Sequence, residues 1–147
     1  MSRAVSSLRR LDPTTAAAEV ASGDDAWTRE FLHALEAHVR TAPLERLLAS
    51  WDLSLAGAAL IFGVSRQAVS KWRGSGVPED RAVALADLAA ATDLLERYVS
   101  RDRVPAVVRR PAEILGGRSL LEVAQSGDHA GVRRGVAQMV DLRRVVP

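Results

Sequence analysis

LAGAALIFGVSRQAVSKW, residues 55 to 72, reads as two short helices folded against each other across one glycine. Ala59 stands where the first helix must let the second approach, so a larger side chain there would push the pair apart. Gly63 follows four residues later, at a turn expected to need positive φ, which a residue without Cβ adopts at little cost. Val64, Val69 and Trp72 then recur so as to close a small core over Ala58 and Phe62. Ser65 is a good N-cap for the second helix.

Alanine-rich sequence produces such spacings in ordinary helical hairpins too, and charge separates the two readings. Residues 54 to 76 contain Arg66, Lys71 and Arg73 and no carboxylate, a local balance of +3 in a chain whose overall balance is +2. Spacing, turn residue and apolar face together resemble the helix-turn-helix of Xre/Cro-type repressors, carried by Leu55, Ala59, Gly63, Val69 and Trp72. The resemblance implies that the second helix lies along DNA. Ser65, Arg66, Gln67, Ser70, Lys71 and Arg73 are then the DNA-binding residues. Arginine and glutamine make bidentate contacts to guanine and adenine, whereas serine and lysine position a protein on the phosphates.

Composition narrows the classes. A chain of 147 residues with 48% hydrophobic content suits one soluble domain or two small ones, and 4% aromatic residues leave Leu, Val and Ala to build the core. Those residues favour close helix packing, and no stretch has a clear strand pattern, so the expected class is all-α. No run approaches the length of a membrane span. Arg3, Arg9 and Arg10 have no apolar run behind them, which argues against a secretory signal and makes the cytoplasm the default. The absence of cysteine removes disulfides, thiolate catalysis and cysteine-type zinc sites. A pI near 9.9 permits nucleic-acid binding without demanding it.

Taken in order, residues 1 to 23 lack an apolar face and are expected to form a flexible N-terminal arm. A helix from Asp25 carries Trp27, Phe31, Leu35 and Val39 at i, i+4 spacing, and is expected to end at Thr41 before Pro43. Leu44, Leu47, Leu48 and Trp51 supply the apolar face of the helix preceding the motif, and Asp52 or Ser54 caps the next one. Beyond the motif, Pro78, Glu79 and Asp80 open a helix running to about Ser100, with Leu85, Leu88, Thr92, Leu95 and Val99 as its packing seam. A short helix follows from about Val104 to Arg109. Gly116 and Gly117 make a tight turn, Ser119 and Glu122 form a capping-box pattern, and the LLEVAQ helix stops at Gly127. Asp128 caps a last helix that buries Val132, Val136, Met139 and Val140, while Gly131 and Gly135 are expected to admit a neighbouring backbone.

The C-terminal stretch resembles the toxin-binding domain of the Xre/MbcA/ParS antitoxins. The resemblance covers roughly residues 80 to 147 and lies in Pro111, the Leu115-Gly116-Gly117 turn, Arg118-Ser119, Leu121, the Ser126-Gly127-Asp128 junction and the Val132 to Val140 helix. The family often has proline after the Ser/Thr of the glycine turn, where this chain has Leu120, and the closing DLRRVVP finds no counterpart. The resemblance implies three regions: a flexible arm (1–23), a helix-turn-helix DNA-binding domain (24–78) and a helical toxin-binding domain (79–147). It implies an antitoxin that occludes the active site of a RES-type, NAD-degrading toxin, or less often an ADP-ribosyltransferase, and represses its own operon as a homodimer or larger complex. Gly116, Gly117, Arg118, Ser119, Arg133, Arg134, Arg143 and Arg144 are the residues so placed at the toxin, the arginines pairing with carboxylates.

Catalytic constellations are missing from the sequence. His33 and His38 are five apart, which misses the i, i+4 spacing of a shared metal, and His129 stands alone. No GxxxxGK[ST], GxSxG or HExxH pattern occurs, so no catalytic residue, metal or cofactor is expected. Two other readings stay open: a protein-interaction adaptor whose helix-turn-helix is only scaffold, and a stand-alone transcriptional regulator.

Overall fold

The structure is a computed structural model that describes residues 13–22 and 25–145. All regular structure among these residues is helical, apart from one isolated bridge between Ala112 and Arg118. The chain divides into two compact units, Met1–Arg40 and Thr41–Pro147.

Within the first unit, α1 spans Pro13–Ser22. The expected arm thus holds a helix: proline pre-sets φ for a first turn, and the following threonines and alanines include three of the best helix formers. Its residues 1–12, with Arg3, Arg9 and Arg10, lie outside the described residues, as do 23 and 24. Helix α2 spans Asp25–Trp51 and contains Pro43. The expected break at Thr41 does not occur. Proline removes one helical hydrogen bond and crowds the carbonyl four residues back. Beyond it, Leu44, Leu47, Leu48 and Trp51 are all buried, and their packing holds the last turns helical. On the first part of α2 the Trp27 and Phe31 rings stack at 5.4 Å, while Leu35 and Val39 of the same stripe are exposed.

The second unit takes the end of α2 and continues with α3 (Leu55–Phe62), α4 (Arg66–Ser75), α5 (Ala82–Tyr98), α6 (Val104–Arg109), α7 (Leu120–Gln125) and α8 (His129–Val145). Helix α3 is capped by Ser54, whose hydroxyl accepts from Gly57 N, and it ends at Gly63 in the left-handed region, φ 63°. Ser65 caps α4 by accepting from Ala68 N. Phe62 and Trp72 meet edge to face at 5.5 Å and 81°, closing the α3–α4 core over Ala58 and Val69.

The seam of α5 is turned inward. Leu85, Leu88, Ala91, Thr92 and Leu95 are buried, and α5 packs mainly along α8, whose Val132, Val136 and Val140 face it. The turn at residues 116 and 117 uses positive φ at both glycines, 68° and 80°. Ser119 and Glu122 close the capping box at the start of α7, and Asp128 Oδ1 accepts from Gly131 N at the start of α8. Gly135 admits a side chain where a backbone was expected: a Cβ there would stand 2.7 Å from Leu115 Cδ2. Leu115 therefore sits in the notch that this glycine leaves in α8.

One buried core runs from Leu44 to Val140 without interruption at residue 78. Helices α3 and α7 touch, so the α3–α4 pair and the C-terminal helices fold as one compact unit.

Candidate nucleic-acid interface and partner surface

Helix α4 buries Val69 and Trp72, and this fixes what its other face shows. Arg66, Gln67, Ser70 and Lys71 are all exposed and lie at three- and four-residue spacings on the side away from that core. Ser65, also exposed, has its hydroxyl committed to the cap. Arg66 and Lys71 have no carboxylate partner among the described residues. The helix therefore presents two unneutralised cations, an amide and a hydroxyl on its exposed side, with Arg66 and Gln67 in the first turn, where the helix dipole also favours anions.

Arg73 is placed differently. Its Nε donates to Glu45 Oε1 at 2.5 Å and its second nitrogen to Glu45 Oε2 at 3.1 Å. This hydrogen bonding holds the guanidinium above its already high ordinary pKa. Glu45 lies on α2, outside the acid-free stretch, so a neutralising partner was invisible in residues 54 to 76. The fork ties α4 to α2 and leaves Arg66 and Lys71 as the open cations of the stretch.

The residues expected at a protein partner differ in exposure and in how they are already paired. Gly116, Gly117 and Arg118 are exposed on the glycine turn. Ser119 beside them is buried, its hydroxyl accepting from Glu122 N at 3.1 Å and its own N–H donating to Glu122 Oε2 at 2.7 Å, so it builds the turn rather than facing outward. On α8, Arg133 donates to Asp87 Oδ1 at 2.9 Å and so ties α8 to α5. Arg134 approaches Asp128 at 3.6 Å. Arg143 donates to the Tyr98 carbonyl at 3.2 Å. The side chain of Arg144 lies outside the described residues.

No protein-family model and no curated protein matches this chain. Among solved structures, a chain from the crystal structure of the M. tuberculosis MbcT-MbcA toxin-antitoxin complex is similar. The fold is shared. The TM-score is 0.55 at 22% sequence identity, over 71% of this chain and 93% of that chain.

Three further residues position the site and carry no signal in the sequence. The carboxyl end of α3 leaves carbonyls without helical donors. His129 Nε2 donates to the Ile61 carbonyl at 2.8 Å, with its ring stacked on Phe62 at 6.0 Å, and Arg81 donates to the Phe62 carbonyl at 3.2 Å. Arg109 does the same for α2, donating to the carbonyls of Trp51 at 2.7 Å and Asp52 at 2.9 Å. Asp52 takes the left-handed conformation there, φ 52°. Such donors satisfy the free carbonyls at a helix C-terminus, and the two arginines also suit the dipole there. Residues 81, 109 and 129 thus cap the helices that carry α4, from 19 to 68 positions away.

Proposed function

We propose that this chain is the antitoxin of a type II toxin–antitoxin pair, of the Xre/MbcA/ParS kind. It acts by binding, without catalysis of its own. Its helix-turn-helix region, residues 24–78, binds operator DNA through Arg66, Gln67, Ser70 and Lys71. Its C-terminal region, residues 79–147, covers the active site of a RES-type, NAD-degrading toxin or an ADP-ribosyltransferase. Gly116 to Arg118 and the arginines of α8 make that contact. The setting is the cytoplasm, and the DNA-bound form is a homodimer or a larger complex with the toxin, because one short recognition helix reads too few base pairs for specific binding.

The observation that carries the reading is an acid-free, exposed polar stripe on α4, capped and held out by two buried residues, within a fold similar to a chain of a toxin–antitoxin complex. Arg66 at the first helical position and Gln67 beside it are the side chains suited to base edges. Lys71, one turn further on, is suited to a phosphate.

Affinity purification of the full chain from its native host tests the proposal. The expected result is a stoichiometric partner of enzyme size that consumes NAD or transfers ADP-ribose when freed, and less so when this chain is added back. Recovery of the chain alone, or with DNA only, would overturn the antitoxin assignment.

A further inference from the structure

Two adjoining cavities lie where the end of α5, helix α6 and the last turns of α8 converge, all in the second unit. One holds about 230 Å³ and the other about 330 Å³. They share Tyr98, Val99, Val107, Arg110 and Arg143 and so form one trough with two ends. The first end is walled mainly by aliphatic side chains, Met139 among them, and the second gains Arg103. No carboxylate of the described residues lines either cavity. Asp102 and Asp141 are close in sequence to Arg103 and Arg143, but neither lines the trough.

The apolar end, about 230 Å³, suits one or two side chains. Charge gives the other half of the recognition. Arg103 and Arg110 have neither an ion pair nor a side-chain hydrogen bond among the described residues, and Arg143 is engaged only by a backbone carbonyl. Three guanidinium groups beside an apolar slot leave a positive rim with no counter-charge among the described residues.

We propose that this trough is a docking site for a peptide segment of a partner protein in which a bulky apolar side chain is followed or preceded, within two residues, by aspartate or glutamate. The apolar side chain fills the slot over Val107 and Met139, and the carboxylate pairs with Arg110 and Arg103. A phosphodiester backbone supplies the anion but nothing to fill the slot, so a nucleic acid is the poorer occupant. The trough shares Arg143 with the toxin contact proposed above, but the inference rests on Arg103, Arg110 and the apolar slot and holds whatever protein carries the segment.

The experiment is selection of a displayed library of random dodecapeptides on the immobilised full chain, followed by fluorescence polarisation with synthetic copies of the enriched peptides. Enrichment of peptides pairing Trp, Phe, Leu or Met with a nearby Asp or Glu is expected. The double variant Arg103→Glu/Arg110→Glu should weaken their binding at least tenfold, and replacement of the peptide's apolar anchor by alanine should do the same. Arg66→Ala/Lys71→Ala, on the opposite function, should leave the affinity unchanged. All four substituted positions are exposed, and an unchanged circular dichroism melt confirms folding. No enrichment, enrichment of neutral or basic peptides, equal binding by the charge-reversed variant, or displacement by a random DNA duplex would each overturn the proposal.

Discussion

Replacing Thr92 by valine isolates one hydrogen bond in the middle of the second unit. Trp51 Nε1 donates to Thr92 Oγ1 at 3.0 Å, and that hydroxyl donates in turn to the Leu88 carbonyl at 2.8 Å. Trp51 is 0% exposed and Thr92 1%, so no water can replace the lost partner. Valine has nearly the shape of threonine and leaves no cavity. The Leu88 carbonyl keeps its place in the α5 ladder, so the indole N–H alone is orphaned. An unsatisfied buried donor costs on the order of 1–3 kcal/mol. At the middle of that range, about 2 kcal/mol, Tm should fall by roughly 4–8 °C for a chain of this size. A double-mutant cycle read by urea denaturation separates this cause from repacking. Trp51→Phe removes the donor, so Thr92→Val should cost no more than about 0.5 kcal/mol in that background. A loss of equal size in both backgrounds, or no loss in the parent chain, would refute the reasoning.

Ser119→Ala should lower stability by about 0.5–2 kcal/mol through loss of the cap on α7, and Ser119→Gly by only a few tenths, as measured by the urea midpoint. The Arg46 guanidinium, hydrogen-bonded to Glu96 at 2.5 Å, holds the Glu96 carboxyl below the ordinary carboxylate range, against a desolvation that pushes the other way. A lowered folded-state pKa gives stability that is present above the unfolded value of about 4.3 and lost as pH falls through the folded value. Glu96→Gln should therefore be less stable than the parent at neutral pH, with the gap closing as the pH falls below about 4 in thermal melts. In gel-shift assays on the cognate operator, Arg66→Ala should cost on the order of 1–3 kcal/mol and relax sequence preference, while Lys71→Ala should lower the salt slope by about one. Arg73→Ala, whose side chain already pairs with Glu45, should leave the base preference of the parent chain in place.

Much of the local architecture was legible because its signals act over three or four residues. Gly63 announces a left-handed turn, Ser65 and Ser119 announce helix starts, and the spacing of Leu85 to Leu95 announces a buried face. Pro43 misled for the complementary reason. Its local bias against helix is real, but four large side chains just beyond it are buried, and that burial is not readable from the proline. Gly135 was legible as a close approach but not as to which neighbour makes it, since Leu115 is brought there only by the turn at 116 and 117.

What the sequence determined by itself is the helical class, the turn at Gly63, the caps, and a helix after that turn whose outward stripe is polar and free of acid. Backbone preferences and side-chain periodicity decide these within a few residues. Tertiary structure alone decided which charges are spent. Glu45 reaches Arg73 across 28 positions, Asp87 reaches Arg133 across 46, and His129 caps Ile61 across 68. Pairings at such separations depend on how whole helices pack, and no local pattern encodes them. Among the described residues they leave Arg66 and Lys71 open on α4 and Arg103 and Arg110 open beside the apolar trough.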